Sequence, residues 1–239
     1  MTTVRWLWLA AAAAVMFAGF MALGIWQIER RAWKHELIER VERRVHASPV
    51  ASPGPEDWPK IGAARDEYRR VRVSGTWLHD AETLVQASTE LGAGWWVLTP
   101  LRQADGTIVI VNRGYVAPHR RDRATRVAGN PTGEDHVVGL LRISEPGGGF
   151  LRSNDAAAER WFSRDIAAIA AARRLDRVAP YFIDAERVPS LGDEAPIGGL
   201  TVVEFRDNHL SYAITWFALA AMVVAAAVIF LREGHRRDP

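Results

Sequence analysis

A chain of 239 residues with a formal net charge of +2 and 24% charged residues carries no block of like charge long enough to suggest disorder, and several of its arginines lie beside apolar runs, more as a membrane-surface contact than a nucleic-acid footprint. The absence of cysteine excludes disulfides, thiolate metal sites, iron–sulfur clusters and haem attached through a Cys pair. Apart from Met1, the methionines Met16, Met21 and Met222 lie inside apolar runs, so no soluble methionine remains for a copper carrier.

The first element is a run from Trp6 to Trp26 without a charged residue, long enough to cross the hydrocarbon core as a helix. A signal peptide would have a shorter apolar region and a small-residue cleavage site, whereas this run continues into Ile25, Trp26 and Gln27; it reads as an uncleaved anchor. Ala10, Ala14, Ala18 and Ala22 recur every fourth residue, a stripe that either admits another helix closely or reflects general alanine richness; Ala221 and Ala225 offer a shorter patch later. Leu37, Val41 and Val45 carry the helical period onward until Pro49, and the proline-rich stretch from Pro49 to Pro59 reads as a loop.

The middle of the chain alternates like half-buried strands. Strands are predicted at Tyr68 to Trp77, Glu82 to Ala87, Trp95 to Leu101, Thr107 to Val111, Val137 to Ile143, Tyr181 to Ile183 and Leu200 to Phe205. Ala104, Asp105 and Gly106 form a hairpin turn, Gly147 to Gly149 a flexible loop, and Arg164 to Leu175 a helix. A second charge-free run, Leu210 to Leu231, is stopped by Arg232. Trp6, Trp8, Trp26 and Trp216 stand in or at the ends of the two runs, where indole favours the headgroup level.

The expected protein is therefore a membrane protein in which two terminal transmembrane α-helices flank one α+β domain dominated by a mostly antiparallel β-sheet, partly closed into a barrel. Its segments are 1–28 (first span), 29–208 (soluble domain), 209–231 (second span) and 232–239 (basic tail). Two spans put both termini on one side. Arg232, Arg236 and Arg237 favour a cytoplasmic tail with the domain outside, while Arg30, Arg31, Lys34, Arg40, Arg43 and Arg44 pull the other way.

Several blocks, in order, carry a family likeness: LGIWQIERRAWKHELI (Leu23 to Ile38), VRVSGTW (Val71 to Trp77), GWWVLTPL (Gly94 to Leu101), VIVNRGYVAP (Val109 to Pro118), then Gly139 to Leu141, Asn154, Trp161 and Asp165, and finally NHLSYAITWFALA (Asn208 to Ala220). The chain resembles the surfeit-locus-one family of membrane assembly factors for haem–copper cytochrome oxidase. The resemblance implies a role in building the oxidase catalytic subunit, with that subunit and haem a synthase as partners and haem a as a transiently bound cofactor. It implies a bacterial inner membrane with a periplasmic domain, or the mitochondrial inner membrane in a eukaryote. The lack of an Arg- and Ser-rich presequence favours a bacterium.

With that resemblance in view, His209 is the candidate metal ligand. Neutral imidazole suits haem iron, and Tyr212 and Trp216 share its helical face, three and seven residues on. The competing reading is a plain interfacial belt of His, Tyr and Trp. Arg113 is the other candidate cofactor-binding residue: its guanidinium suits a propionate or an acidic loop of a partner, or else a structural salt bridge. Asn112 and Gly114 are expected to shape the turn after the strand. No two of the seven histidines form a pair such as HExxH, and there is no GxSxG elbow and no thiol nucleophile, so a non-enzyme is expected. The alternative is an extracytoplasmic sensor or scaffold working through a partner protein.

Overall fold

The computed structural model of the protein describes residues 3–188, 195–201 and 207–236. The chain divides into two compact units, Met1–Arg40 with Glu204–Pro239, and Val41–Val203.

The first unit pairs two helices, the terminal ones, α1 (Thr3–Val45) and α4 (His209–Arg236). Both are long and apolar enough to cross a membrane, over Leu7–Val45 and His209–Phe230. They run antiparallel: Phe20 stacks on Trp216 at 5.8 Å, and Gln27 meets His209 higher up. A Cβ on Gly24 would lie 2.5 Å from the Phe217 ring, so the small residue is what lets the two helices approach. Ala213 and Ala220 are buried on the facing side of α4. The expected alanine stripe is not this contact. Ala10, Ala14, Ala18 and Ala22 are exposed, as are Ala221 and Ala225, because the packed face of α1 runs through Phe20, Gly24, Gln27 and Arg31. Polar and aromatic partners, rather than alanine spacing, select that face.

In the second unit the strands are β1 (Val50–Ala51), β2 (Arg70–Trp77), β3 (Thr83–Thr89), β4 (Gly92–Arg102), β5 (Ile108–Val116), β6 (Glu134–Ile143), β7 (Gly148–Gly149), β8 (Arg152–Ser153) and β9 (Val178–Ala185). The helices here are α2 (Ala63–Asp66) and α3 (Ile166–Ala172). The main sheet runs β1-β2-β6-β9-β5-β4-β3, and β2 also pairs with β4, which closes β2, β6, β9, β5 and β4 into a five-stranded barrel. The closing pairs are Thr76 with Arg102 and Trp77 with Leu101. Gly75 stands at this crossing because a Cβ there would lie 2.2 Å from the Arg102 carbonyl oxygen. The sheet is mixed, since β1–β2 and β5–β9 are parallel.

Alternation explains the barrel wall. Val71, Val73 and Trp77 of β2 point into a core with Leu101, Val109, Val111, Leu141, Tyr181 and Ile183, while Arg72, Ser74 and Thr76 face outward. On the opposite face of β5 and β9, Ile110 and Phe182 pack with Val85, Leu98, Trp161, Ile166 and Ile169 of a second core. Strand β5 is thus buried along its whole length.

Two expectations are corrected here. Asn112 and Gly114 do not shape a turn, for β5 continues through them to Val116; interior partners satisfy the polar side chains that read as turn signals. Gly148 and Gly149 do not belong to a plain loop, for they pair with Arg152 and Ser153 in a small hairpin. The strands expected near Glu82 and Trp95 are present, and they pair as one hairpin, β3–β4, with Thr89 opposite Gly92. The strand expected at Leu200 to Phe205 falls largely outside the described residues.

Candidate functional site

Helix α4 begins where the charge-free run does. The Asp207 carboxylate accepts the His209 backbone amide at 3.0 Å, satisfying one of the donors a helix start leaves open. The same carboxylate accepts from His35 Nε2 at 2.8 Å and lies 3.5 Å from Arg31 Nε, both on α1. The His209 amide above all holds the Asp207 carboxyl below the usual carboxylate range; burial opposes it, and His35 and Arg31 add to the lowering.

The His209 ring is held separately. Its Nδ1 lies 2.7 Å from Gln27 Oε1, and Gln27 is only 8% exposed. A carboxamide oxygen only accepts, so Nδ1 is the donor in this pair, which in a neutral ring leaves the lone pair on Nε2. Among the described residues no hydrogen bond reaches Nε2. Tyr212, one turn along, is 55% exposed and offers its phenol outward. Trp216 turns toward α1, where its ring stacks on Phe20 and its indole N–H is buried without a hydrogen-bond partner among the described residues.

Arg113 lies in the other unit, on β5. It is 8% exposed, donates to Asn130 Oδ1 at 2.8 Å and to the Gly129 carbonyl, and stacks 5.2 Å from the Trp77 ring centre. Burial lowers its pKa to about 10, so it stays charged at neutral pH. Both acceptors are neutral, so the guanidinium has no carboxylate hydrogen bond among the described residues. It lines a cleft of about 620 Å³ with Trp77, Asp135, His136 and Ile197.

The rest of the VNRGY block is accounted for one residue at a time. Asn112 donates to Asp184 Oδ1 at 2.7 Å and accepts from the Gly114 amide at 3.1 Å. Asp184, buried on β9, also takes Arg142, Arg164 and Thr201. Gly114 has φ of +126°, and a Cβ there would lie 2.2 Å from the Ile197 carbonyl, a close approach only glycine allows. The Tyr115 hydroxyl donates to Leu91 and Ala93 carbonyls.

Of the four candidate residues, His209, Tyr212 and Trp216 share α4, although Trp216 turns onto α1 while Tyr212 faces out. Gln27 and Asp207 complete this site and were not singled out in the sequence. The available signals were an uncharged amide at the end of an apolar run and an acidic residue just before the second run. Among the described residues, no group of three or more His, Asp or Glu could hold a bare metal ion. A single imidazole with a free Nε2 beside apolar helices and an exposed phenol instead fits a metal that arrives in its own macrocycle, as haem does.

A family model described as SURF1 family matches residues 14–221. "Surfeit locus protein 1" of Rattus norvegicus is 35% identical over 236 residues, covering 91% of this chain and 72% of the rat protein. "Surfeit locus protein 1" of Homo sapiens is 35% identical over 237 residues, covering 91% and 74%. "SURF1-like protein" of Monosiga brevicollis is 35% identical over 229 residues, covering 90% and 85%.

Proposed function

The chain belongs to the SURF1 family, and on that premise we propose that it is an assembly factor for haem–copper cytochrome c oxidase that holds haem a at His209 for insertion into the catalytic subunit. The observation that carries the haem part of this reading is the His209 ring, with Nδ1 held by Gln27 and Nε2 without a hydrogen-bond partner among the described residues. Haem a, when bound, supplies the iron and macrocycle that the oxidase needs.

The chain's own residues bind and orient. His209 offers one nitrogen, Tyr212 flanks it with an amphipathic ring, and the apolar faces of α1 and α4 keep water away from a hydrophobic ligand. Arg113, a buried cation on a cleft, suits an anionic group such as a propionate or an acidic loop of the partner. The protein acts in this reading by binding and not by catalysis, with the catalytic subunit, haem a synthase and the lipid bilayer as partners. It sits in a bacterial inner membrane, or its mitochondrial counterpart, with both termini inside and the domain outside; Arg232 at the end of the second run supports that orientation.

Deletion of the protein tests the assembly role. Active aa3-type oxidase is expected to fall while cells stay viable. A deletion strain with normal oxidase and intact haem and copper spectra overturns it.

A further inference from the structure

We propose that Gln27 is the positioning residue that presents His209 to the iron, by accepting the Nδ1 proton so that Nε2 is the ring's one available donor. This rests on the reading of His209 as the haem a ligand.

A neutral imidazole has one N–H and one lone pair, and the hydrogen bond at one nitrogen decides the role of the other. Here that bond is 2.7 Å long and crosses from α1 to α4. Gln27 is buried in a helix that is otherwise apolar for three turns before it, where an unpaired carboxamide is costly and a leucine of similar size would pack at no polar cost. Among the described residues the Gln27 amide makes one side-chain hydrogen bond, and its partner is His209. The ring's backbone is fixed independently. Asp207 takes the His209 amide, and Arg31 and His35 of α1 hold Asp207 in turn. Backbone and ring of one residue are therefore tied at separate points to the same neighbouring helix, as an oriented ligand requires and an interfacial belt residue does not.

The test uses the full chain in nanodiscs, with ¹⁵N-labelled histidine and the His209 signals identified by their loss in His209→Asn. The apo protein is expected to show Nδ1 protonated and Nε2 bare, and Gln27→Leu to show a tautomer mixture. With haem a supplied by co-expressed haem a synthesis, Gln27→Leu is expected to weaken binding roughly 10–100-fold. Gln27→Glu, which keeps the acceptor and the volume, is expected to restore occupancy while lowering the haem reduction potential, because a carboxylate makes the imidazole a stronger donor. A wild-type Nε2–H tautomer, or a tautomer unmoved by Gln27→Leu, overturns the positioning role. If the tautomer follows Gln27 but neither Gln27→Leu nor His209→Asn alters haem a binding, the haem reading fails and takes the iron-facing half of this inference with it.

Discussion

Gln27 and His209 lie 182 residues apart in the chain, yet their side chains meet at 2.7 Å between the two apolar helices. The contact joins the end of one charge-free run to the start of the other, and it gives the helix pair a chemical centre as well as a packing face.

Haem content is the first expected outcome. Purified full-length protein made alongside haem a synthesis should carry haem a, and His209→Ala should lose most of it. Tyr212→Phe should weaken binding less than Tyr212→Asp, because the aspartate puts a charge at the membrane interface where desolvation is costly. Optical spectra, compared only among variants that accumulate normally, check this.

Acid should loosen the helix pair through Asp207. Its folded pKa is lowered, so the unfolded state binds the proton more readily, and the stabilisation is present above the unfolded value of about 4 and fades as pH falls through the lower folded value. Asp207→Asn should remove this component at pH 7 and flatten the acid limb. A pH series of thermal unfolding in detergent measures it; an unchanged acid limb in the variant would contradict the assignment.

Gly114→Ala should destabilise the barrel domain by at least about 2 kcal/mol, since the alanine meets both the positive φ and the Ile197 carbonyl. Denaturant unfolding followed by tryptophan fluorescence reads this directly.

The Tyr181 hydroxyl donates to the Pro53 carbonyl at 2.7 Å inside the domain, and burial pushes its pKa up to about 12. Tyr181→Phe should cost about 1 kcal/mol at neutral pH. The sign of the alkaline limb follows from the raised value: the stabilisation is complete below the unfolded pKa of about 10 and is lost as pH rises toward 12. Unfolding of the wild type and the phenylalanine variant between pH 9 and 12, on the order of one unit per step, should converge as the pH rises.

Orientation can be read with reporters. A fusion at the C-terminus should be active in the cytoplasm and one near Gly147 outside; the opposite pattern reverses the orientation proposed for the domain.

The sequence by itself determined the two apolar helices, because length without charge is a local property that bilayer thickness turns into structure. It also determined the alternating strand β2 and the Asp105–Gly106 turn, where the Thr107 amide bonds Asp105 Oδ1 at 2.9 Å. The family likeness was legible too, and the match over residues 14–221 bears out the family. Tertiary structure alone decided the extent of β5. A strand buried on both faces shows no alternation, and Asn112 and Arg113 look like turn or surface residues until Asp184, Asn130 and Gly129 arrive from elsewhere in the chain. It alone decided the barrel closure at Trp77 and Leu101, and it alone turned Trp216 onto Phe20 while leaving Tyr212 facing out. Gln27 belongs to the same class, for a hydrogen bond needs a partner within about 3 Å, and no local pattern records what lies across a helix interface.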